Sequence, residues 1–121
     1  MPASGGKRIL LVEDEPIVAI ALQDIIEDLG HEVVGPAFRL ARALELAESE
    51  AIDAAILDVN MGDGHSYAVA DRLRARGIPF LFATGYGAAG LEPEHQDSPV
   101  LQKPYRETQV ARALARLLDG P

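Results

Sequence analysis

Five short apolar runs recur along this chain, and longer stretches of mixed polarity separate each run from the next. A short apolar run that ends at a charged or turn-forming residue is typical of a strand buried on both faces of a sheet. The five runs are RILLVE, EVVGPA, DAAILDV, IPFLFA and PVLQK, which begin at residues 8, 32, 53, 78 and 99. Strands that alternate with longer connections predict a parallel sheet built from strand–helix–strand units.

The stretches between the runs carry apolar residues at the spacing of a helix with one buried face. Pro16 suits the opening turn of the first helix, and Gly30 suits its end. Asp63 or Ser66, in the predicted loop NMGDGHS, can cap the third helix. The predicted core positions are Ile17, Ile20, Ala21, Ile25 and Leu29 in the first helix, Leu40, Ala43, Leu44 and Ala47 in the second, Val69, Ala70 and Leu73 in the third, and Val110, Leu114, Leu117 and Leu118 in the last.

The stretch GYGAAGLEPEHQDS, between the fourth and fifth runs, contains three glycines and a proline. Both residue types weaken a helix, so we expect a fourth helix that is short or disordered. The whole pattern predicts an α/β fold, with a flavodoxin-like, doubly wound, five-stranded parallel sheet in the order 2-1-3-4-5 and helices on both faces. Residues 1–121 fit a single domain, with a core over about residues 7–118.

The composition narrows the classes of function. A net charge of -8 at pH 7 argues against a nucleic-acid partner. The chain has no cysteine, which excludes disulfides and thiolate metal sites. Its N-terminal stretch MPASGGKR has no apolar signal core, and no run reaches the length of a membrane span. We therefore expect a cytoplasmic protein without a membrane or nucleic-acid partner.

Polar side chains stand at the carboxyl ends of four predicted strands. These are Glu13 and Asp14 after the first, Asp58 in the third, Thr84 after the fourth, and Lys103 in the fifth. In the predicted strand order these ends are neighbours, and folds of this kind bind ligands at this edge. Carboxylate oxygens suit Mg²⁺, a carboxylate can accept a phosphoryl group, and a hydroxyl and an ammonium can bind phosphoryl oxygens.

Four stretches, LLVEDEP, AAILDVN, LFATG and LQKPY, resemble the signature stretches of the response regulator receiver domain. The resemblance covers about residues 7–118. It implies that Asp58 accepts the phosphoryl group and that Thr84 and Lys103 contact it. It also implies a bound Mg²⁺ or other divalent cation, whose ligands would be Glu13, Asp14, Asp58 and the backbone carbonyl of Asn60. Pro104 follows Lys103 as in the family, where the Lys–Pro bond is typically cis.

The resemblance implies a single-domain response regulator of a two-component system or phosphorelay. A histidine kinase or a histidine phosphotransfer protein would be the donor, and a downstream protein would be the partner whose binding changes. Such a protein is not an enzyme, apart from catalysing its own phosphorylation and dephosphorylation.

The stretch FATGYG is similar to the Phe-Ala-Thr-Gly-Tyr motif of the FAT GUY receivers. This subfamily is found largely in alphaproteobacteria, is often tied to the general stress response, and commonly comprises stand-alone regulators or the receiver part of an anti-anti-sigma regulator. In most receivers an aromatic residue three before the lysine changes rotamer on phosphorylation, and here that position is Val100. Tyr86, flanked by glycines that free its backbone, becomes the candidate switch. A packed or exposed loop tyrosine is the alternative.

Two other functions stay open. The first is a small Mg²⁺-dependent phosphatase with an aspartyl-phosphate intermediate. Such enzymes usually carry a second acid two residues past the nucleophile, whereas Asn60 cannot transfer a proton. The second is a phosphate sink, which drains a shared kinase through rapid loss of the group from Asp58. No output domain follows the last predicted helix, so we expect output through protein contact or phosphoryl flow.

Overall fold

The computed structural model describes residues 6–84, 91–93, 98–103 and 105–119 of the chain. Its strands and helices alternate along most of this length, as the apolar runs predict. In chain order the elements are β1 Arg8–Val12, α1 Pro16–Asp28, β2 Glu32–Ala37, α2 Leu40–Ser49, β3 Ala54–Asp58, β4 Asn60–Met61, β5 Gly64–His65, α3 Tyr67–Ala75, β6 Phe80–Thr84, β7 Val100–Gln102 and α4 Glu107–Asp119.

Five of these strands form one parallel sheet in the order β2-β1-β3-β6-β7. This is the predicted order 2-1-3-4-5, because the fourth and fifth strands of the prediction are β6 and β7 of the structure. The two additional strands, β4 and β5, pair with each other as a short antiparallel hairpin. The predicted α/β fold with a flavodoxin-like sheet is therefore confirmed.

Helices cover both faces of the sheet. Successive side chains of a strand point to opposite faces, and the buried side chains gather into two clusters. Leu10 and Val12 of β1 belong to the cluster that includes α2 and α3, whereas Ile9 and Leu11 belong to the cluster that includes α1 and α4. All residues of β3, in the centre of the sheet, are buried, as expected for a strand that is covered on both sides.

The first helix buries a different face from the one that the sequence predicts. Ile17 is 84% exposed and Ile20 is 56% exposed, whereas Ala19, Leu22 and Ile26 are buried. The assignment of Ile17, Ile20 and Ala21 to the core is wrong, since all three are exposed, and the reason is that α1 has apolar residues around most of its circumference. Periodicity alone cannot choose one side of such a helix.

The other helices follow the prediction more closely. Their buried residues are Ala43, Leu46 and Ala47 in α2, Val69, Ala70 and Leu73 in α3, and Val110 and Leu114 in α4. In α2, Leu46 is buried instead of the predicted Leu40 and Leu44, which are only partly buried. Leu117 and Leu118 of α4 are also only partly buried.

The segment after β3 is not the plain loop that the sequence predicts, because it contains the β4–β5 hairpin. Asp63, in the turn of this hairpin, accepts a hydrogen bond from the backbone N–H of Leu40 at 3.2 Å. It therefore caps the start of α2. The predicted capping of α3 is wrong, since Ser66 is the N-cap residue of α3 but its side chain makes no capping hydrogen bond.

Glu13 directly follows β1 at the carboxyl edge of the sheet, next to an irregularity in the pairing of β1 with β2. The register shifts between Leu10 and Val12, and beyond the shift the backbone N–H of Glu13 donates to the carbonyl of Ala37 at 3.0 Å. Gly35 makes this close approach possible, with a φ of 101° and only 2.8 Å between an added Cβ and the Ala37 nitrogen. A larger residue at position 35 would disturb the strand that carries the site.

Three predictions fall on residues outside the described ranges. Two of these predictions concern Tyr86, the candidate switch, and Pro104, the residue after the site lysine. The expected short fourth helix concerns residues 85–98, of which the structure describes residues 91–93 and residue 98. Among the described residues, no helix combines the length and the apolar character needed to cross a membrane.

Candidate functional site

The strand order brings the predicted site residues to one edge of the sheet. Asp58 and Thr84 are the last residues of β3 and β6, and Glu13 and Lys103 directly follow β1 and β7. The four strands are consecutive neighbours in the parallel sheet. The backbone N–H of Lys103 donates to the carbonyl oxygen of Thr84 at 3.0 Å, so these two residues are held side by side. Thr84 itself is buried.

Three carboxylates converge at this edge. Glu13, Asp14 and Asp58 each offer one oxygen, and these three oxygens lie within 4.8 Å of one another. Glu13 is 1% exposed and Asp58 is 5% exposed, although burying a carboxylate is costly unless a partner compensates for it. Glu13 Oε2 accepts a hydrogen bond from the backbone N–H of Glu15 at 3.2 Å.

Lys103 compensates part of this negative charge. Its Nζ lies 3.2 Å from Asp58 Oδ1 and 3.2 Å from Glu13 Oε1. The contact with Asp58 has hydrogen-bond geometry, whereas the buried Glu13 Oε1 has no hydrogen bond among the described residues and is paired only electrostatically. One ammonium therefore faces three carboxylates within the described part of the site, and the balance is negative.

Burial and the neighbouring charges shift the pKa of two of these groups. Burial, reinforced by the neighbouring Glu13, raises the pKa of Asp58 from 3.8 to about 7, against the opposing effect of Lys103. For Lys103, burial alone would lower the pKa, but the carboxylates of Asp58 and Glu13 outweigh it and raise the pKa above its ordinary value. The lysine stays charged, and Asp58 holds a proton near neutral pH more readily than an exposed aspartate does.

The donor set fits a small, hard divalent cation. Mg²⁺ prefers oxygen ligands at about 2.0–2.1 Å and is commonly bound by one or two carboxylates with water completing the shell. The cluster supplies carboxylate oxygens from three residues within reach of one another. The buried Glu13 Oε1, which lacks a hydrogen bond among the described residues, is a donor atom whose environment a cation would complete. Asn60, two residues past Asp58, is exposed at the start of β4.

Sequence reasoning missed the surroundings of the site. A cavity of about 450 Å³ lies beside Lys103 and is lined by Ile17, Val18, Ala21, Ile25 and Tyr105. The apolar residues on every side of α1 were the signal that one of its faces is not buried in the core. A larger cavity of about 650 Å³ lies at the amino ends of the strands, where Lys7, Asp53 and Arg116 are among its lining residues. This cavity lies at the opposite edge of the sheet from the carboxylates of Glu13, Asp14 and Asp58, and it belongs to a different surface.

Comparisons with known proteins agree with the fold and with the signature stretches. A family model described as the response regulator receiver domain matches residues 9–115. The solution structure of SdrG from Sphingomonas melonis Fr1 is 48% identical, has a TM-score of 0.83, and covers 96% of this chain and 99% of that one. The structure of the BeF3-activated conformation of SdrG from Pseudomonas melonis Fr1 is also 48% identical, with a TM-score of 0.79, and covers 92% of this chain and 95% of that one.

Among curated relatives, the phyllosphere-induced regulator PhyR of Methylorubrum extorquens is 32% identical over 122 residues. The match covers 98% of this chain and 46% of PhyR. The chain thus spans about half the length of the curated relatives it matches.

Proposed function

We propose a phosphoryl-accepting signalling function, from the premise that the chain belongs to the response regulator receiver domain family of two-component systems. The similar proteins SdrG and PhyR are of the FAT GUY type, so the resemblance drawn from FATGYG is confirmed. In this proposal residues 7–118 act as one cytoplasmic receiver domain. It takes a phosphoryl group on Asp58 from a histidine kinase or a histidine phosphotransfer protein.

The observation that carries the proposal is the position of the Lys103 ammonium, 3.2 Å from Asp58 Oδ1 and from Glu13 Oε1 inside the acidic cluster. A nucleophilic carboxylate needs positive charge nearby to approach an anionic phosphoryl group. Lys103 supplies such a charge from the protein itself. The remaining negative charge of the cluster favours the binding of a cation.

In the proposed reaction, a carboxylate oxygen of Asp58 attacks the phosphorus of the donor phosphohistidine. A new O–P bond forms while the P–N bond breaks, and the electron pair of that bond returns to the imidazole nitrogen. Lys103 then neutralises a phosphoryl oxygen instead of the Asp58 carboxylate, and the Thr84 hydroxyl donates a hydrogen bond to another oxygen.

Glu13, Asp14, Asp58 and the backbone carbonyl of Asn60 would hold Mg²⁺ or another divalent cation. When bound, this ion supplies electrostatic stabilisation for the phosphoryl oxygens. The carboxylates of Glu13 and Asp14 provide the negative charge that retains it.

Phosphorylation adds a charge of about -1.5 to -2 at Asp58. This charge draws Thr84 and Lys103 inward and biases the segment that follows Thr84, with Tyr86 as the candidate mover, toward a conformation with a different affinity for a downstream protein. The similarity to SdrG, whose structure is known in a BeF3-activated conformation, and to the regulator PhyR supports a role in the general stress response.

Beryllofluoride, a stable phosphoryl mimic, tests the acceptor function. The wild-type protein and Asp58→Ala are titrated with beryllofluoride at saturating Mg²⁺ and followed by amide NMR. We expect shifts around Asp58, Thr84 and Lys103 in the wild type and none in the variant. Unchanged wild-type spectra would contradict the proposal that Asp58 accepts a phosphoryl group.

Phosphotransfer profiling against the kinases and phosphotransfer proteins of the source organism, with Asp58→Ala as the control, identifies the donor. Adding a competing regulator to the same reactions measures whether the chain drains the kinase, which distinguishes a phosphate sink from an effector.

A further inference from the structure

We propose that Tyr67 is a positioning residue that fixes residues 91–93 to the start of α3 and releases them when Asp58 carries a phosphoryl group. The inference rests on the proposed function and deepens it by naming a connection between the acceptor and a distant segment. Tyr67 is the first residue of α3 and is partly buried against the core.

The Tyr67 ring joins two elements that lead to the site. It stacks on His65, with ring centroids 5.7 Å apart and an interplanar angle of 27°. It also meets Phe82 edge-on, with centroids 5.5 Å apart. His65 ends the hairpin that begins two residues past Asp58, and Phe82 lies in β6 two residues before Thr84. The same ring therefore contacts both the hairpin that follows Asp58 and the strand that ends in Thr84.

The Tyr67 hydroxyl joins a third element. Its oxygen accepts a hydrogen bond from the backbone N–H of Glu92 at 2.9 Å. Glu92 is exposed, while its neighbour Leu91 is 3% exposed and belongs to the same buried cluster as Phe82. A solvent-exposed hydrogen bond from Glu92 to Tyr67 thus connects the backbone of residues 91–93 to α3, and the side chain of the neighbouring Leu91 is buried.

A bond of this kind can act as a restraint on the unphosphorylated state. The net stabilisation from one hydrogen bond changes an equilibrium by about 2- to 10-fold. If the bond is present before phosphorylation and absent after it, removing the hydroxyl favours the phosphorylated conformation by that factor. By linkage, the affinity for a phosphoryl mimic then rises by up to the same factor, and by the full factor when the unphosphorylated conformation predominates.

The test compares the wild type with Tyr67→Phe, which keeps the ring contacts with His65 and Phe82 and removes the hydroxyl. Ser49→Ala is the matched control, because Ser49 Oγ donates to the carbonyl of Glu45 at 2.7 Å at the end of α2 remote from Asp58. Each protein is titrated with beryllofluoride at saturating Mg²⁺, and the solvent exchange rate of the Glu92 amide is measured by NMR with and without the mimic.

We expect Tyr67→Phe to bind beryllofluoride about 2- to 10-fold more tightly than the wild type, and Ser49→Ala to bind it as the wild type does. In the wild type, saturation should accelerate exchange of the Glu92 amide to the rate seen in unliganded Tyr67→Phe. This second measurement does not depend on whether a variant folds. A faster exchange of the Glu92 amide in the wild type with beryllofluoride than without it is enough to establish the release.

An equal or weaker affinity in Tyr67→Phe, or a Glu92 amide that stays equally protected in the saturated wild type, overturns the inference while leaving the acceptor function intact. A wild type that does not respond to beryllofluoride at all overturns both.

Discussion

Replacing Asp58 by asparagine should make the metal-free protein more stable at alkaline pH, because Asp58 is a buried acid with a raised pKa. In the unfolded chain this carboxyl titrates at its ordinary value of 3.8, and in the folded protein it titrates at about 7. Between these values the folded protein holds a proton that the unfolded chain has released. The stabilisation from this group is therefore present below pH 3.8 and is lost as the pH rises through about 7.

The size of the effect follows from that difference. Each pH unit in which one proton separates the two states changes the unfolding free energy by about 1.4 kcal/mol. From pH 5 to pH 8 the titration of Asp58 should therefore destabilise the wild type by about 2 to 3 kcal/mol relative to Asp58→Asn, which is on the order of 10 °C in Tm for a chain of this length. Asp58→Asn removes the titrating group and should not show this loss.

The measurement is urea unfolding in the presence of a chelator at pH 5, 6, 7 and 8. Asp24→Asn is the matched control, since it replaces an exposed aspartate of α1 that lies outside the acidic cluster. Parallel profiles for the wild type and Asp58→Asn would refute the reasoning, because they would show that Asp58 titrates alike in the folded and unfolded chains.

Three further predictions concern the metal, the core and the strand that positions the site. At pH 8, millimolar Mg²⁺ should raise the Tm of the wild type and change that of Asp58→Asn much less; equal shifts in a thermal scan would contradict a cation site at Asp58. Leu22→Ala should cost about 2 to 5 kcal/mol, whereas Ile20→Ala should cost less than about 1 kcal/mol because Ile20 is 56% exposed. If urea unfolding showed similar losses of stability for the two variants, Ile20 would be buried as the sequence predicts. Gly35→Ala should destabilise the protein more than Gly30→Ala, since both glycines have positive φ but only an added Cβ at Gly35 meets backbone atoms; equal unfolding midpoints would count against that steric argument.

The sequence alone determined the five strands of the parallel sheet, their order and the chemistry at their ends. Continuous apolar runs such as the one ending at Asp58 have few alternatives to a buried parallel strand, and right-handed crossovers leave few arrangements for five of them. Once the order is known, parallel strands place their carboxyl ends at one edge. For that reason Glu13, Asp58, Thr84 and Lys103 could be assigned to one place without coordinates.

Only the tertiary structure decided which face of α1 is buried, how the chain turns after Asp58, and how close the charges come. Ile17 and Leu22 are both apolar residues of one helix, and only packing against the sheet makes one exposed and the other buried. The hydrogen bond between Tyr67 and Glu92 joins residues 25 positions apart, which no local pattern records. The raised pKa of Asp58 depends on burial and on distances to Glu13 and Lys103, because electrostatic energies vary with separation and surroundings that a sequence does not contain.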